Sequence, residues 1–359
     1  MKRIFGMCIA MCIIGVVGVF ADYPLLPYEE NSPVYVAASV LIMDAETGEV
    51  LYETEGYTRR YPASVTKVMT ALLVLEYVEY LNEMVIFSAN AVDIPDYASR
   101  MWMEEGDKVT VLEALYGIML PSGNEVARAL AEHVYGTVPD FVARMNQRAV
   151  ELGAFNTNFV NPCGLPGDGQ FVTAYDIALI MQAAIQHPVF VDIIATPYYS
   201  IPPNTDGEGG RELRNSNRMV RPSQDEFNRF VIGGKTGFTN AAQHTLVTYA
   251  RRGEFSFIIS VLYAPHWSNS FADTTALIDL AYEIQTERQN AVIYEYVQEE
   301  IYEEYIAEEP KEYEKTAISQ TLKENTTQEL SDTEAVAIAL MSLGMVFAAL
   351  IFIYKLAQR

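Results

Sequence analysis

A serine and a lysine three residues apart, Ser64 and Lys67, have the residue types of a nucleophile and its base. They open an apolar run typical of a helix, in which three residues turn by about 300° and rise about 4.5 Å, so both side chains share one face. A lysine amine accepts the serine proton only where burial or nearby positive charge keeps it neutral. The pair therefore predicts nucleophilic catalysis. From this segment alone, an amphipathic surface helix with a capping serine is the alternative.

Two further segments carry polar groups of matching chemistry. Ser122 and Asn124 flank a glycine before a predicted helix, so they either face a cleft or only cap that helix. Residues 233–239, Gly-Gly-Lys-Thr-Gly-Phe-Thr, end a β-rich run. Glycines in a strand let an extended ligand lie close to the backbone, while an ammonium and a hydroxyl group hold a carboxylate. Taken alone, this third segment is also compatible with a strand end and a turn.

In the order Ser-x-x-Lys, Ser-x-Asn and Lys-Thr-Gly, the three segments resemble the motif set of penicillin-binding proteins and class A β-lactamases. From about residue 35 to about residue 285, the chain is similar to the low-molecular-mass penicillin-binding proteins that are D-alanyl-D-alanine carboxypeptidases. The segments that carry this narrower resemblance are Pro62-Ala63, Met69-Thr70-Ala71, Asn161-Pro162, Gly164-Leu165, residues 168–171, Thr173-Ala174, Asp176 and Asn215-Ser216-Asn217. The resemblance implies an α/β fold of the β-lactamase and DD-peptidase type. Such a fold has a mixed, mainly antiparallel sheet flanked by helices, with an inserted helical subdomain.

The resemblance also implies a catalytic role for four residues. Ser64 would attack the carbonyl group between the two terminal D-alanines, and Lys67 would accept its proton. Ser122 and Asn124 would relay the proton towards the departing D-alanine and orient the substrate amide.

Five residues of the third segment are implied in substrate binding. Lys235 and Thr236 would hold the terminal carboxylate, and Gly237, Phe238 and Thr239 are the other implied substrate-binding residues. The backbone amides of Phe238 and of the nucleophile would form the oxyanion hole.

Two other activities and one non-catalytic role stay open. A β-lactamase shares the acylating residues but needs a carboxylate that activates the deacylating water. A D,D-endopeptidase would cleave crosslinked peptides with the same residues, and a catalytically silent, membrane-tethered scaffold of the cell wall would use none of them. The intact motif residues favour an enzyme, and Ser122-Gly123-Asn124 favours a peptidase.

The chain departs from the family pattern at two places. After Thr239 the family usually has an Ala-Gly pair, whereas here Ala242 is followed by Gln243, which we expect to alter the edge of the substrate strand. We also expect no β-rich second domain of the kind found in many relatives. An acidic helix, a stalk and a hydrophobic segment occupy its place.

Both ends of the chain carry signals for export and membrane attachment. Residues 1–21 combine a positive start, an uncharged run and a final Val-Phe-Ala, which predicts a cleaved signal peptide. Residues 335–354 contain no charged side chain, and twenty helical residues match the ~30 Å hydrocarbon core of a bilayer. Lys355 and Arg359 follow, and positive residues stay on the cytoplasmic side. We therefore expect a single-pass protein of the bacterial cell membrane with an extracytoplasmic catalytic domain.

The composition excludes several partners. The formal charge of -23 argues against nucleic acid, which needs a basic surface. The four histidines are scattered without metal-ligand spacing, so we expect neither a metal nor another cofactor. Cys163 would be the lone cysteine after signal removal and could form no internal disulfide. By resemblance, the partners are peptidoglycan stem peptides as substrates and β-lactams as inhibitors, with the membrane bound through the C-terminal helix.

Hydrophobic periodicity and turn residues divide the chain further. The expected segments are a signal peptide (1–21), an extended leader (22–34), the catalytic domain (35–289), an acidic amphipathic helix (290–309), a polar stalk (310–334), a transmembrane helix (335–354) and a cytoplasmic tail (355–359). Within the catalytic domain we predict a hairpin over 35–54, helices at 111–119, 125–134, 139–152, 173–186 and 271–286, and strands at 229–236, 245–252 and 255–263.

Overall fold

The computed structural model describes residues 35–203 and 210–307. The chain divides into two compact units, residues 1–289 and 290–359. The predicted signal peptide, leader, stalk, transmembrane helix and tail lie outside the described residues.

A five-stranded sheet forms the centre of the first unit. In chain order the strands are β1 (Ser39–Asp44), β2 (Val50–Thr54), β3 (Met84–Ile86), β4 (Lys108–Thr110), β5 (Tyr198–Ile201), β6 (Arg211–Arg214), β7 (Val231–Thr239), β8 (Gln243–Arg252) and β9 (Phe255–Ala264). The sheet has the order β2-β1-β9-β8-β7, and all its pairs are antiparallel. We expected a mixed, mainly antiparallel sheet. The described sheet is antiparallel throughout: hairpins join β1 to β2, β7 to β8 and β8 to β9, and β1 also pairs antiparallel with β9.

Helices cover both faces of this sheet. They are α1 (Lys67–Tyr77), α2 (Ala89–Val92), α3 (Val111–Met119), α4 (Asn124–Tyr135), α5 (Val138–Glu151), α6 (Ala174–Ala184), α7 (Pro188–Ala195) and α8 (Trp267–Ala307). Side chains alternate along β1, so Leu41 and Met43 join the core formed with the inserted helices, while Val40 and Ile42 join the core that includes the start of α8. The sheet is therefore buried on both sides.

The predicted elements of the catalytic domain are largely confirmed. The helix at 111–119 has the predicted bounds, and the next three predicted helices differ from the structure by one or two residues at each end. We did not predict α7 or the short pair of β3 with β4. Residues 271–286 and 290–307 are helical as predicted, but the predicted break between two helices is wrong, because α8 is continuous to Ala307. Residues 287–290, Glu-Arg-Gln-Asn, contain no glycine or proline that would end it.

Within residues 35–203 and 210–307, no single helix is both long and apolar enough to cross a membrane. The helices α6 and α7 meet that test only together, and they are bent by 112° where they join.

Candidate active site

Ser64 lies in a 3₁₀ turn, Ala63–Thr66, that leads directly into α1. Its Oγ is 3.0 Å from Nζ of Lys67, the first residue of that helix. We predicted both residues on one α-helix. However, Ala63 has a left-handed φ of 49°, which an α-helix does not allow, so Ser64 lies in the turn that precedes α1. Side chains at i and i+3 eclipse in a 3₁₀ turn, so the hydroxyl group and the amine still meet.

Lys67 is fully buried, at 0% exposure. Besides the serine hydroxyl, its Nζ contacts two acceptors, Oδ1 of Asn124 at 2.9 Å and the backbone oxygen of Cys163 at 2.7 Å. Burial lowers the pKa of Lys67 to about 8, although the nearby Cys163 and Glu125 act in the opposite direction. At pH 7 about a tenth of the amine is then neutral. That fraction of Lys67 is in the neutral form that a base for the serine requires.

Ser122 has a left-handed φ of 68° and is buried. Its Oγ has no hydrogen-bond partner among the described residues. The sequence left open whether this serine only caps a helix. The N-cap of α4 is Gly123, without a side-chain cap bond, so the hydroxyl group does not serve the helix. An unpaired buried hydroxyl group in a strained backbone conformation is typical of a functional position.

Asn124 is the first residue of α4, and its side chain is held at both ends. Its Oδ1 accepts the hydrogen bond from Lys67, and its Nδ2 donates to the backbone oxygen of Ser99 at 2.8 Å. An amide nitrogen has two N–H groups. The second one is therefore available for a substrate carbonyl group.

β7 is an edge strand, since among the described strands it pairs only with β8. A Cβ at Gly237 would stand 2.7 Å from the backbone nitrogen of Ser64, so only glycine permits the strand to come this close. Phe238 is 52% exposed, and the hydroxyl groups of Thr236 and Ser216 are 2.6 Å apart. The free backbone edge of β7 can pair with an extended peptide whose scissile bond reaches the nucleophile.

Lys235 differs from the charged, substrate-facing lysine that we expected. It is 0% exposed, and its Nζ donates a 2.8 Å hydrogen bond to the backbone oxygen of Thr236. Burial, with a smaller contribution from the positive charge of Lys67, holds the pKa of Lys235 well below its usual value. An approaching carboxylate would favour the charged form again.

The turn between β7 and β8 contains the departure from the family pattern. Gln243 has a φ of 52°, a conformation that favours glycine, and its Nε2 donates to the backbone oxygen of Asn240 at 2.7 Å. The strands stay paired from Gly233 to Thr239, which faces Gln243. The expected alteration of the strand edge is therefore not seen in this pairing.

A cleft of about 830 Å³ brings the three motifs together. Its lining includes Ser64, Ser122, Asn124 and residues 236–239, whereas the two motif lysines do not contribute to the lining. Among the described residues, no group of three or more His, Cys, Asp or Glu side chains could hold a metal ion. The site therefore offers a nucleophile, a buried amine and a peptide-binding edge.

The sequence did not predict several groups that position the site. Glu125 is 1% exposed, its Oε1 accepts the N–H of Met101 at 2.5 Å, and its Oε2 has no partner among the described residues. The backbone oxygen of Ser99 also accepts the N–H of Asn124 at 3.0 Å. Glu125 follows the second motif directly, which was the available signal. The carbonyl groups of Ser99 and Cys163 have no sequence signature.

Comparisons with known proteins identify the family of the chain. The family model of D-alanyl-D-alanine carboxypeptidases matches residues 28–266. The carboxypeptidase DacF of Bacillus subtilis is 33% identical over 250 residues, which are 68% of this chain and 62% of that protein. The D-alanyl-D-alanine carboxypeptidase of Streptomyces sp. strain K15 is 30% identical over 265 residues, which are 70% of this chain and 89% of that protein.

The solved structures give the same result. The crystal structure of the Streptomyces K15 DD-transpeptidase has a TM-score of 0.66 and 29% sequence identity, and the match covers 71% of this chain and all of that one. The match to DacF, by contrast, spans less than two thirds of the length of that relative. The predicted family is confirmed: the chain belongs to the D-alanyl-D-alanine carboxypeptidase family.

Proposed function

We propose that this chain is a serine-type D-Ala-D-Ala carboxypeptidase that removes the terminal D-alanine from peptidoglycan stem pentapeptides and also binds penicillin. The observation that carries the proposal is the 3.0 Å contact between Oγ of Ser64 and the buried Nζ of Lys67. A serine with a neutral amine as base attacks acyl groups and forms an acyl-enzyme. The open edge of β7 beside that serine accepts the peptide as an added strand.

Acylation begins when Oγ of Ser64 attacks the carbonyl carbon between the two D-alanines and its proton passes to Lys67. The new bond moves negative charge to the carbonyl oxygen. Backbone N–H groups of Ser64 and Phe238 would stabilise this charge as an oxyanion hole. The second N–H of the Asn124 amide orients the substrate.

Collapse of the tetrahedral intermediate breaks the C–N bond of the peptide. The proton on Lys67 passes through the unpaired hydroxyl group of Ser122 to the departing amine, and D-alanine leaves. Water then attacks the ester carbon, gives a proton back to Ser64, and releases the shortened peptide. With penicillin the amine stays tethered to the acyl group, so the acyl-enzyme persists.

The direct test is product identification. Full-length protein is incubated with a pentapeptide ending in D-Ala-D-Ala and with a matched peptide ending in L-Ala-L-Ala. We expect release of D-alanine from the first peptide, no release of L-alanine from the second, and no release from either peptide by the Ser64→Ala variant. That variant should keep its fold, because a hydroxyl group lost at an open site leaves no large cavity. Equal release by wild type and Ser64→Ala would refute the proposed nucleophile.

The same experiment separates the carboxypeptidase from a D,D-endopeptidase. A crosslinked dimer of stem peptides, incubated in parallel, would yield two monomers if the endopeptidase activity predominates. Slow hydrolysis of the penicillin acyl-enzyme separates a peptidase from a β-lactamase, which would turn the antibiotic over rapidly.

We further propose that the protein is exported and anchored in the bacterial cell membrane by one C-terminal span, with the catalytic domain outside. The positive, apolar start of residues 1–21 and the uncharged run of residues 335–354 support this topology. Protease added to intact cells should remove the catalytic domain and leave a small membrane-bound stub. A catalytic domain that survives protease until the cells are lysed would contradict the proposed orientation.

A further inference from the structure

Arg218 is the one lysine or arginine, among the described residues, that lines the cleft around Ser64. It begins a short 3₁₀ turn, Arg218–Val220, that packs against β7. Oδ1 of Asn217 accepts the N–H of Met219 at 3.0 Å and fixes the start of this turn. The backbone that carries the arginine is therefore held beside the strand on which the substrate lies.

The side chain of Arg218 is anchored on two sides. Its Cζ lies 4.6 Å from the ring centre of Trp267, and its Nε lies 2.8 Å from Oε2 of Glu226 in an ion pair without hydrogen-bond geometry. The two Nη groups form no hydrogen bond with any described residue, and 32% of the side chain is exposed. A guanidinium group held by stacking and by an ion pair keeps its two Nη groups for a carboxylate.

The other cationic candidates near the cleft are poorly placed for an anion. Lys235 is buried, and its Nζ is engaged by the backbone oxygen of Thr236. His244 lines the cleft, but burial and the neighbouring His266 lower its pKa, so its ring is neutral at pH 7. Arg218 thus provides the accessible positive charge of the described cleft.

We propose that Arg218 binds the free carboxylate of the terminal D-alanine, together with the hydroxyl group of Thr236. This inference rests on the proposed function and adds a substrate-binding residue outside the three motifs. It predicts that the enzyme distinguishes peptides by the charge of their C-terminal group. A peptide ending in D-alaninamide leaves the guanidinium group unpaired and should be a poorer substrate than the free acid.

The experiment compares kcat/KM for the acid and the amide form of one D-Ala-D-Ala peptide, using full-length protein. Hydrogen bonds to charged groups suggest that the acid-to-amide ratio falls by about 10- to 100-fold in Arg218→Gln. Arg218→Lys keeps the positive charge but lacks the paired N–H groups of the guanidinium, so its acid-to-amide ratio should lie between those of wild type and Arg218→Gln. Arg252→Gln is the matched control, since Arg252 also stacks on aromatic rings and pairs with an acid, Asp279, but does not line this cleft.

An unchanged ratio in Arg218→Gln, or an equal fall in Arg252→Gln, would overturn the inference. Binding of both peptides to Ser64→Ala, with and without Arg218→Gln, is measured by calorimetry and does not depend on turnover. If wild type cleaves neither peptide, the proposed function fails, while a loss of acid binding in the double variant still supports Arg218. If Ser64→Ala binds the acid peptide equally well with and without Arg218→Gln, Arg218 does not bind the carboxylate.

Discussion

At the residue scale, the chemistry depends on how far burial lowers the pKa of Lys67. Complete burial acts against the charged form of the Lys67 amine and lowers its pKa. Glu125 and Cys163 act in the opposite direction and raise the pKa of Lys67. The resulting pKa of about 8 leaves Lys67 able to exchange protons with Ser64 in either direction.

This balance predicts the pH dependence of acylation. In the proposed mechanism the neutral amine of Lys67 is the base, so the acylation rate should increase with pH through about 8. Glu125→Gln keeps an acceptor for the N–H of Met101 but removes the negative charge that raises the pKa of Lys67. The midpoint of the rate profile should therefore move to lower pH, as measured by the rate of labelling with a fluorescent penicillin.

Glu132→Gln provides the control for this prediction. Glu132 lies on the same helix, but its carboxylate bonds to Ser88 and is not among the groups that shift the pKa of Lys67. Its profile should match that of wild type. A Glu125→Gln midpoint that stays in place or moves to higher pH would show that the carboxylate does not act on Lys67.

The residue pattern predicted the nucleophile, base and substrate strand, but not their immediate surroundings. Ser64 and Lys67 are close in sequence, so helical geometry alone brings them together. The contact of Lys67 with the backbone oxygen of Cys163 spans 96 residues and involves a group that every residue has. Likewise, the predicted strand ended at Thr236, whereas β7 continues to Thr239. The burial of Lys235 depends on how the whole sheet is covered.

At the element scale, the 3₁₀ turn that presents Ser64 depends on a tight crossing with another segment. Gly164 has a φ of 86°, and a Cβ there would stand 1.8 Å from the backbone oxygen of Ala63. Gly106 has a similar φ of 88°, with nothing within 4 Å of such a Cβ. An alanine at Gly106 would therefore meet only the strain of a left-handed backbone, whereas an alanine at Gly164 would meet that strain and a collision as well.

We predict that Gly106→Ala lowers the free energy of unfolding by about 1 kcal/mol, because an alanine is strained in left-handed backbone. Gly164→Ala should cost clearly more and should also reduce penicillin labelling, since the collision displaces the residue before Ser64. Denaturant unfolding and labelling measure the two effects. Equal unfolding energies and equal labelling in the two variants would show that the crossing does not position the nucleophile.

At the scale of the whole molecule, the sheet lies between two helical layers, and only part of α8 belongs to one of them. Phe271, Leu277 and Ile278 are buried against the sheet, and Gln289 still bonds to Glu254. Beyond that point, Ile293 and Tyr294 are more than half exposed. One helix includes both the buried and the exposed segment. The periodic apolar pattern continues without a helix-breaking residue, so the sequence did not mark where the packed part of the helix ends.

We predict that a chain ending after Gln289 folds and keeps the activity of the catalytic unit. It retains the part of α8 that is buried against the sheet and loses the exposed continuation. Its thermal unfolding midpoint and penicillin labelling rate should match those of the full-length protein. Aggregation or a markedly lower midpoint would show that residues 290–307 belong to the core.

The most direct test of the central claim compares two lysines by their acylation rates. Lys67→Arg cannot release its proton, since the pKa of arginine is above about 12, so the rate of Ser64 acylation by peptide and penicillin should fall by about 10² to 10⁴. Lys235→Arg removes no proposed base, so it should retain part of the activity, with substrate binding weakened by the changed side-chain geometry. Near wild-type acylation by Lys67→Arg would contradict a neutral lysine base and make Ser122 the next candidate.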